Sequence, residues 1–288
     1  MALFYFSVIL LAFVSPAYSS YFSTIWFKAI KQTMFEQEIE DVNAVHRSDD
    51  HLVRRLIVMP LTEAFNGNPA SVMQNKVQYG DKCSLPASLG RLIFEKPYEV
   101  PWIFEVTPVN TKTSFGDFTP SITSAEGDET AEVIRAHTPK LSKAYISPLD
   151  FRSPENYIFM PKWLMNSLRL QTNDIVDISF VRIKLAGLVV LQPMSLAWDS
   201  LEKRGDPRVL LEHEVNKYST LTAGSTIFIE IGGTEHPIYV KETRGEYGVS
   251  MKGVKVQDAD IRTDINRDIL DSIIKKAKKK KEEAEGSE

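Results

Sequence analysis

The chain has 288 residues, 43% hydrophobic and 25% charged, which are globular values for one large or two ordinary domains and exclude a wholly disordered chain or a multi-span membrane protein. Lys plus Arg number 34 against 38 Asp plus Glu, a formal net charge of -4, and this argues against nucleic acid as the main partner, because phosphate binding needs a basic face. One cysteine, Cys83, excludes an intramolecular disulfide and any multi-cysteine zinc site.

The N-terminus reads as a leader. Leu3 to Val14 is an uncharged apolar run, Pro16 breaks it, and Ala17-Tyr18-Ser19 offers small residues to a signal peptidase. Residues 1–19 are therefore expected to be a signal peptide, with an uncleaved anchor as the alternative. A secretory route sits oddly with a lone cysteine and the lack of any Asn-x-Ser/Thr acceptor site. The final Glu285-Gly286-Ser287-Glu288 does not match a Lys-Asp-Glu-Leu retention signal. Together these features favour passage through the secretory route to a reducing compartment.

Residues 20–60 carry early aromatics (Tyr21, Phe22, Trp26, Phe27) and then Glu36, Glu38, Glu40 and Asp41, with no clean strand pattern. They read as a targeting or flexible extension, partly helical, although transit peptides are acid-poor. The core is expected to start at residue 61. A short helix is expected over Ala87–Leu92 and a strand over Trp102–Val106. Residues 107–143, rich in Thr, Ser, Gly, Pro and acids, read as a mobile insertion.

Structure signals are dense over residues 144–256. Strands are expected at Tyr157–Met160, Ile175–Val181 and Ile183–Leu191, with a short helix at Trp163–Leu168. Asp206-Pro207 opens another helix, in which Leu210, Leu211, Val215 and Tyr218 recur at helical spacing. Ile227, Ile229 and Ile231 alternate, Gly232-Gly233 turns, and Ile238–Val240 returns as the second arm of a hairpin. Tyr247–Met251 reads as a last strand. In residues 257–288, Ile261, Ile265, Ile269, Leu270, Ile273 and Ile274 form an apolar stripe of helical period, followed by Lys275, Lys276 and Lys278–Lys281. Three readings stay open for this tail: a solvated helix, a helix that docks in a partner's groove, and a nucleic-acid tail. The candidate partner-binding residues are Ile261, Ile265, Ile269, Leu270 and Ile273.

Catalytic signatures are missing. The chain has no G-x-S-x-G, H-E-x-x-H, C-x-x-C, G-x-G-x-x-G or phosphate-loop pattern. His46 and His51 form a poor metal pair, and His137, His213 and His236 are scattered. Cys83 could act as a thiol nucleophile beside one of these histidines, or simply fill space as a small hydrophobe. No cofactor or metal is expected, and the reading is a non-enzyme.

Tyr79-Gly80-Asp81-Lys82-Cys83-Ser84-Leu85-Pro86-Ala87-Ser88-Leu89 resembles the Gly-Asp/Gly-Lys-Ile-x-x-Pro-x-x-Ala/Leu stretch of the ubiquitin fusion degradation protein family, and Tyr98–Val106 is similar to its Tyr-Pro-Met-Leu-Phe-x-Leu strand; the matches form an ordered series over about residues 75–256. Tyr145–Phe151 and Met160-Pro161-Lys162-Trp163-Leu164-Met165-Asn166-Ser167-Leu168 resemble its His-Cys-Gly-Val-Leu-Glu-Phe and Leu-Pro-x-Trp-Met-Met-x-x-Leu segments. Leu191-Gln192-Pro193, Asp206–Glu212 and Tyr218–Gly224 resemble its Phe-Gln-Pro, Asn-Pro-Lys-Ala-x-Leu-Glu and Phe-x-x-Leu-Thr-x-Gly. The resemblance implies a β-rich α/β fold: a double-psi β-barrel over 61–195, a small α/β-roll subdomain over 196–256, and a helical, charged tail over 257–288.

The resemblance also implies an adaptor; the alternatives are a lumenal enzyme on a double-psi barrel scaffold and a ubiquitin-independent interaction module of the same fold. The adaptor's partners would be an AAA+ unfoldase, ubiquitin or a ubiquitin-like modifier, and a second adaptor subunit, close to a membrane but not spanning it once the leader is gone. The sequence departs from the family in its 107–143 insertion, its leader, and the lack of a Phe-x-Gly-x-Gly-x-x-Leu docking box. A signal-bearing member resembles the relocated set of organisms with a secondary plastid. The implied place of action is that plastid (the apicoplast or a periplastid compartment), with the endoplasmic reticulum lumen as the alternative.

Overall fold

The computed structural model describes residues 16–48, 52–61, 78–109, 133–134, 136–203, 205 and 207–285. Most of the expected leader, the middle of the 107–143 insertion, and Asp206 lie outside the described residues. The chain divides into two units, residues 1–51 and 52–288.

In the first unit a helix, α1, runs over Pro16–Ser48. Pro16 is the first described residue of this helix, and the apolar run it was expected to break, Leu3–Val14, lies outside the described residues. Gln32 donates to Glu36 and Gln37 to Asp41, each at 2.9 Å, and these i,i+4 contacts support the helix where it is most polar. Among the described residues, no helix is long and apolar enough to cross a membrane.

The second unit opens with a barrel. Its strands are β1 (Val53–Pro60), β2 (Lys82–Pro86), β3 (Ile103–Pro108), β4 (Ala144–Ser153), β5 (Tyr157–Met160) and β6 (Ile175–Val181). They close in the order β1-β5-β2-β4-β3-β6, and β6 returns to pair with β1. The β1–β5 and β2–β4 pairs are parallel and the rest antiparallel. Leu56, Val58, Leu85, Phe104, Val106, Ile146, Ile158, Val176 and Ile178 fill the interior. Helix α2 (Ala87–Glu95) follows β2, and α3 (Lys162–Leu168) follows β5.

Strand β1 corrects the reading of residues 20–60, in which no strand pattern was visible. Arg54 and Arg55 disguise the alternation. Arg54 is buried among the inward positions, and Arg55 forms a two-pronged ion pair with Asp177 of β6 at 2.8 and 2.9 Å. Strand β4 was missed for a related reason. Ser147-Pro148 reads as loop, yet Pro148 sits opposite Cys83 where the β2–β4 register shifts, an irregularity at which a strand tolerates proline.

The remainder forms a second sheet ordered β11-β10-β7-β13, with β9 on β10, and a β12–β8 pair. The strands are β7 (Ala186–Pro193), β8 (Thr220–Thr222), β9 (Thr226–Ile231), β10 (Thr234–Gly245), β11 (Ser250–Met251), β12 (Gly253–Lys255) and β13 (Arg262–Ile265). Helices α4 (Leu196–Glu202), α5 (Arg208–Val215) and α6 (Asp268–Glu285) complete it. The expected hairpin is β9–β10, turned by Gly232 and Gly233 at φ +61° and +78°, the positive pair that a tight hairpin demands. Strand β7 belongs to this sheet and not to the barrel, so the barrel's last strand ends at Val181. The expected strand at Tyr247–Met251 shrinks to Ser250–Met251. The β-rich α/β class, with a closed six-stranded barrel and a C-terminal helix, is as the sequence led us to expect.

The barrel is joined to the β12–β8 pair through a buried carboxylate. Asp81, on the turn into β2, is fully buried. Its Oδ1 accepts the Ser219 N–H at 2.8 Å, and its Oδ2 accepts the Thr220 N–H at 3.0 Å and the Thr220 hydroxyl at 2.7 Å. Burial lifts its pKa above the ordinary value, while the donors pull it back. Asp81→Asn keeps the shape but points an amide N–H2 at donors. We expect about 2 kcal/mol of lost stability, a Tm drop of roughly 4–8 °C in thermal unfolding.

Candidate functional site

The candidate catalytic groups are not assembled. Cys83 lies fully buried on β2, and burial together with the Asp81 charge pushes its thiol well above the ordinary value. It is a core residue, without the depressed pKa that a nucleophilic thiol needs. His137 bonds to Val133 O at 2.9 Å on the surface, His213 is exposed on α5, and His236 is buried on β10. His46 lies on α1 in the other unit, and His51 lies outside the described residues. Among the described residues, no three His, Cys, Asp or Glu side chains converge as a metal site.

The stripe read as a partner-binding helix is also spent within the fold. The segment is not one helix. Ile265 ends β13, which adds to β7 in parallel with Ile265 opposite Leu191, and the helix starts only at Asp268. The Asn266 side chain accepts the Asp268 N–H at 3.1 Å and marks the switch from strand to helix. Leu270 is part of the main core, with Ile261 and Ile265 packed against it. Ile269 and Ile273 join Met194 in a small cluster of their own. An apolar stripe reports that a face is covered, but not by what.

Aromatic side chains gather instead on the outside of the barrel. Phe94 closes the last turn of α2, Trp102 precedes β3, and Phe151 lies late on β4. Their centroids stand 5.1 Å (Phe94–Trp102), 6.0 Å (Phe94–Phe151) and 6.1 Å (Trp102–Phe151) apart. Phe94 meets both neighbours edge to face, the favoured geometry for π systems. Trp102 is anchored by its Nε1–H to Tyr98 O at 3.2 Å. Gly90 makes room for Phe151: a Cβ there would lie 2.7 Å from its Cγ. Phe94 is 69% exposed, and Val100, two residues before Trp102, is exposed as well. Exposed Arg91 and Glu95 flank Phe94 on α2, and the Arg152–Asp150 pair flanks Phe151 on β4. Of the three rings Phe94 alone is exposed, Trp102 and Phe151 being half-buried, and Arg91 and Glu95 put both charge signs beside it.

Sequence reasoning missed this cluster because its members come from three segments that only barrel closure brings together. One local signal was available. Leu89 and Ile93 define the buried face of α2, and Phe94 lies one residue beyond it, a large aromatic where a polar residue is expected.

Comparison with known proteins adds the following. Residues 61–184 match the family described as ubiquitin fusion degradation protein UFD1, N-terminal subdomain 1. Ubiquitin fusion degradation protein 1 of Saccharomyces cerevisiae is 30% identical over 116 residues, 40% of this chain and 31% of that protein. The homolog in Dictyostelium discoideum is 25% identical over 122 residues, 42% of this chain and 34% of that protein. The human ubiquitin recognition factor in ER-associated degradation protein 1 is 26% identical over 103 residues, 36% of this chain and 33% of that protein. The matched part of the chain thus spans about a third of the length of these relatives. The likeness anticipated over residues 75–256 is supported over 61–184, the span that holds β2 to β6 and the aromatic cluster.

Two substitutions separate surface from scaffold. Phe94→Ala should cost about 1 kcal/mol or less, because the ring is mostly in water and gives up little beyond its edge contacts. Gly90→Ala gains helix propensity of about 1 kcal/mol but drives a methyl into the root of the Phe151 side chain, at a cost of about 1–3 kcal/mol. We expect a net loss and an altered near-ultraviolet dichroism from Trp102. Both are checked by thermal unfolding with near-ultraviolet circular dichroism.

Proposed function

We propose that the chain is a non-enzymatic, ubiquitin-type substrate adaptor that brings tagged clients to an AAA+ unfoldase. The observation that carries this reading is the family match over the barrel, the same segment that exposes the Phe94–Trp102–Phe151 cluster. The printed names of the relatives refer to ubiquitin fusion degradation and to ubiquitin recognition in ER-associated degradation. Burial of Cys83 and the scatter of the histidines fit a protein that works through surfaces. In this reading the aromatic cluster takes the modifier, ubiquitin or a ubiquitin-like protein. A second adaptor subunit and the unfoldase contribute further weak contacts. Linked weak contacts raise the effective concentration of client at the unfoldase without any one of them being tight.

The place of action in this proposal is a secondary plastid, an apicoplast or periplastid compartment reached through the secretory route, where the complex would drive extraction or import across a membrane. The endoplasmic reticulum lumen is the alternative. The Leu3–Val14 run and the lone cysteine support a route that starts in secretion and ends in a reducing space.

The test uses the chain without residues 1–19, titrated with ubiquitin chains and with ubiquitin-like proteins by calorimetry, and with an AAA+ unfoldase by co-sedimentation. Binding to a modifier is expected, and Phe94→Ser should weaken it about tenfold, the effect of removing one aromatic anchor worth about 1.4 kcal/mol. Unchanged affinity in Phe94→Ser would move the modifier site elsewhere. Binding to neither modifier nor unfoldase would overturn the adaptor reading. A C-terminally tagged chain should label the plastid rim and lose that label without residues 1–19; label throughout the endoplasmic reticulum would favour the alternative.

A further inference from the structure

Helix α6 is fixed to the second sheet by a relay that runs past one buried imidazole. His236 on β10 is 3% exposed, and among the described residues its Nδ1 has no hydrogen-bond partner. The Trp198 ring of α4 stands edge-on to it, 5.6 Å between centroids at 84°. Trp198 is fully buried and donates Nε1–H to Glu202 at 2.8 Å. Glu202 pairs with Arg267, and Arg267 reaches Asp199 and Asp271 at 3.3 Å each. Arg267 directly precedes α6, and Asp271 lies in its first turn. A second link begins one residue along β10. Pro237 O accepts the Met194 N–H at 3.0 Å, and the Met194 side chain packs against Ile269 and Ile273 of α6. Following the pairing of Ile238 with Pro193, His236 lies across from Ser195, whose buried Oγ also has no partner among the described residues.

We propose that His236 is an acid-sensitive latch: its protonation loosens α4 and undocks the first turns of α6, uncovering Ile269, Leu270 and Ile273. The proposal stands independently of the adaptor reading. It follows from what surrounds the ring. Among the described residues no carboxylate is hydrogen-bonded or ion-paired to this ring, so an imidazolium here would gain an uncompensated charge. On its own strand Glu235 points to the opposite face, as neighbours on a strand do, where it lies beside Glu230 of β9. On α4, Glu202 is engaged by Trp198 and Arg267, and Asp199 by Lys203 and Arg267. On α6, Asp268 is held by Lys241 and Asp271 by Arg267. Among the described residues directly after β7, Ser195 faces the ring in register; on α5, which packs on β9, Glu214 is held by Lys217 and His213, and Glu212 is exposed. Strand β8 carries no charge, β12 carries only Lys255, and β11 pairs at Thr243 and Arg244, the far end of β10.

The sign follows from the direction of the shift. Burial alone moves the His236 pKa below its ordinary value of 6.5. The docked state therefore prefers neutral imidazole, and the undocked state takes up the proton. Docking is at full strength above 6.5 and is lost as pH falls below that value toward the lowered one. Glu235 acts in the opposite sense, since burial and Glu230 raise its carboxyl, so the difference between wild type and a His236 variant isolates the latch.

The test is amide hydrogen exchange on the full chain, corrected for intrinsic rates, at about pH 7.5 and about pH 5.5. Wild type should lose protection about fivefold or more over residues 196–202 and 268–274 on acidification, with β1 and β6 unchanged. His236→Gln should show no such difference between the two pH values. Equal acid sensitivity in both proteins would overturn the proposal. Should the variant fail to fold, NMR titration of the wild-type imidazole decides: an apparent pKa below 6.5 that tracks the loss of protection supports the latch, and one at or above 6.5 overturns it.

Discussion

Everything in the larger unit is organised around the buried carboxylate of Asp81. Its two oxygens collect three donors from Ser219 and Thr220, so the turn that starts β2 and the turn that starts β8 are built as one object. Neighbouring bonds extend the junction. Trp163 donates to Gly80 O at 3.0 Å, the Ser147 and Ser219 hydroxyls meet at 2.9 Å, and the Thr220 hydroxyl that donates to Asp81 lies 3.0 Å from Tyr145 O. A carboxylate in such a place is costly to desolvate, and removing its donors would be costlier still. Its value is positional: apolar packing alone would hold the two parts together without fixing their register.

This arrangement explains which parts of the fold were legible. Val176 and Ile178 of β6, Trp163–Leu168 of α3 and the β9–β10 hairpin carry their own signals: period two, a buried run after proline, a double glycine. They could be read without knowing their neighbours. Strand β1 could not, because Arg54 and Arg55 break the hydrophobic pattern, and Arg55 finds its partner, Asp177, far away in sequence. Strand β13 was hidden inside an apolar spacing that fits a helix as well as a strand, and pairing with β7 decides between them. Asp81 looks like any loop acid until Ser219 and Thr220 are folded onto it.

The candidate site was less legible than the fold. The isoleucines that looked available for a partner are the ones the chain uses on itself, whereas Phe94 and Trp102 drew no attention as surface residues. The cause is common to both errors. Amphipathic spacing measures how consistently one face is apolar, and a chain uses its most consistent faces for its own core. An aromatic cluster assembled from α2, the segment before β3, and β4 has no such regularity, since each element contributes one ring.

The parallel addition of β13 to β7 has a bearing on how the protein is made. All six barrel strands lie within residues 53–181, so the barrel can close while the rest is still being synthesised. Strand β7 emerges next, but one of its edges is covered only by residues 262–265, near the far end of the chain. On a ribosome that adds about 5–20 residues per second, that edge waits for several seconds with its backbone donors and acceptors open. An open edge is a template for wrong pairing. The second sheet is therefore most exposed to misassembly in the interval between synthesis of β7 and of β13, when the barrel strands are already made.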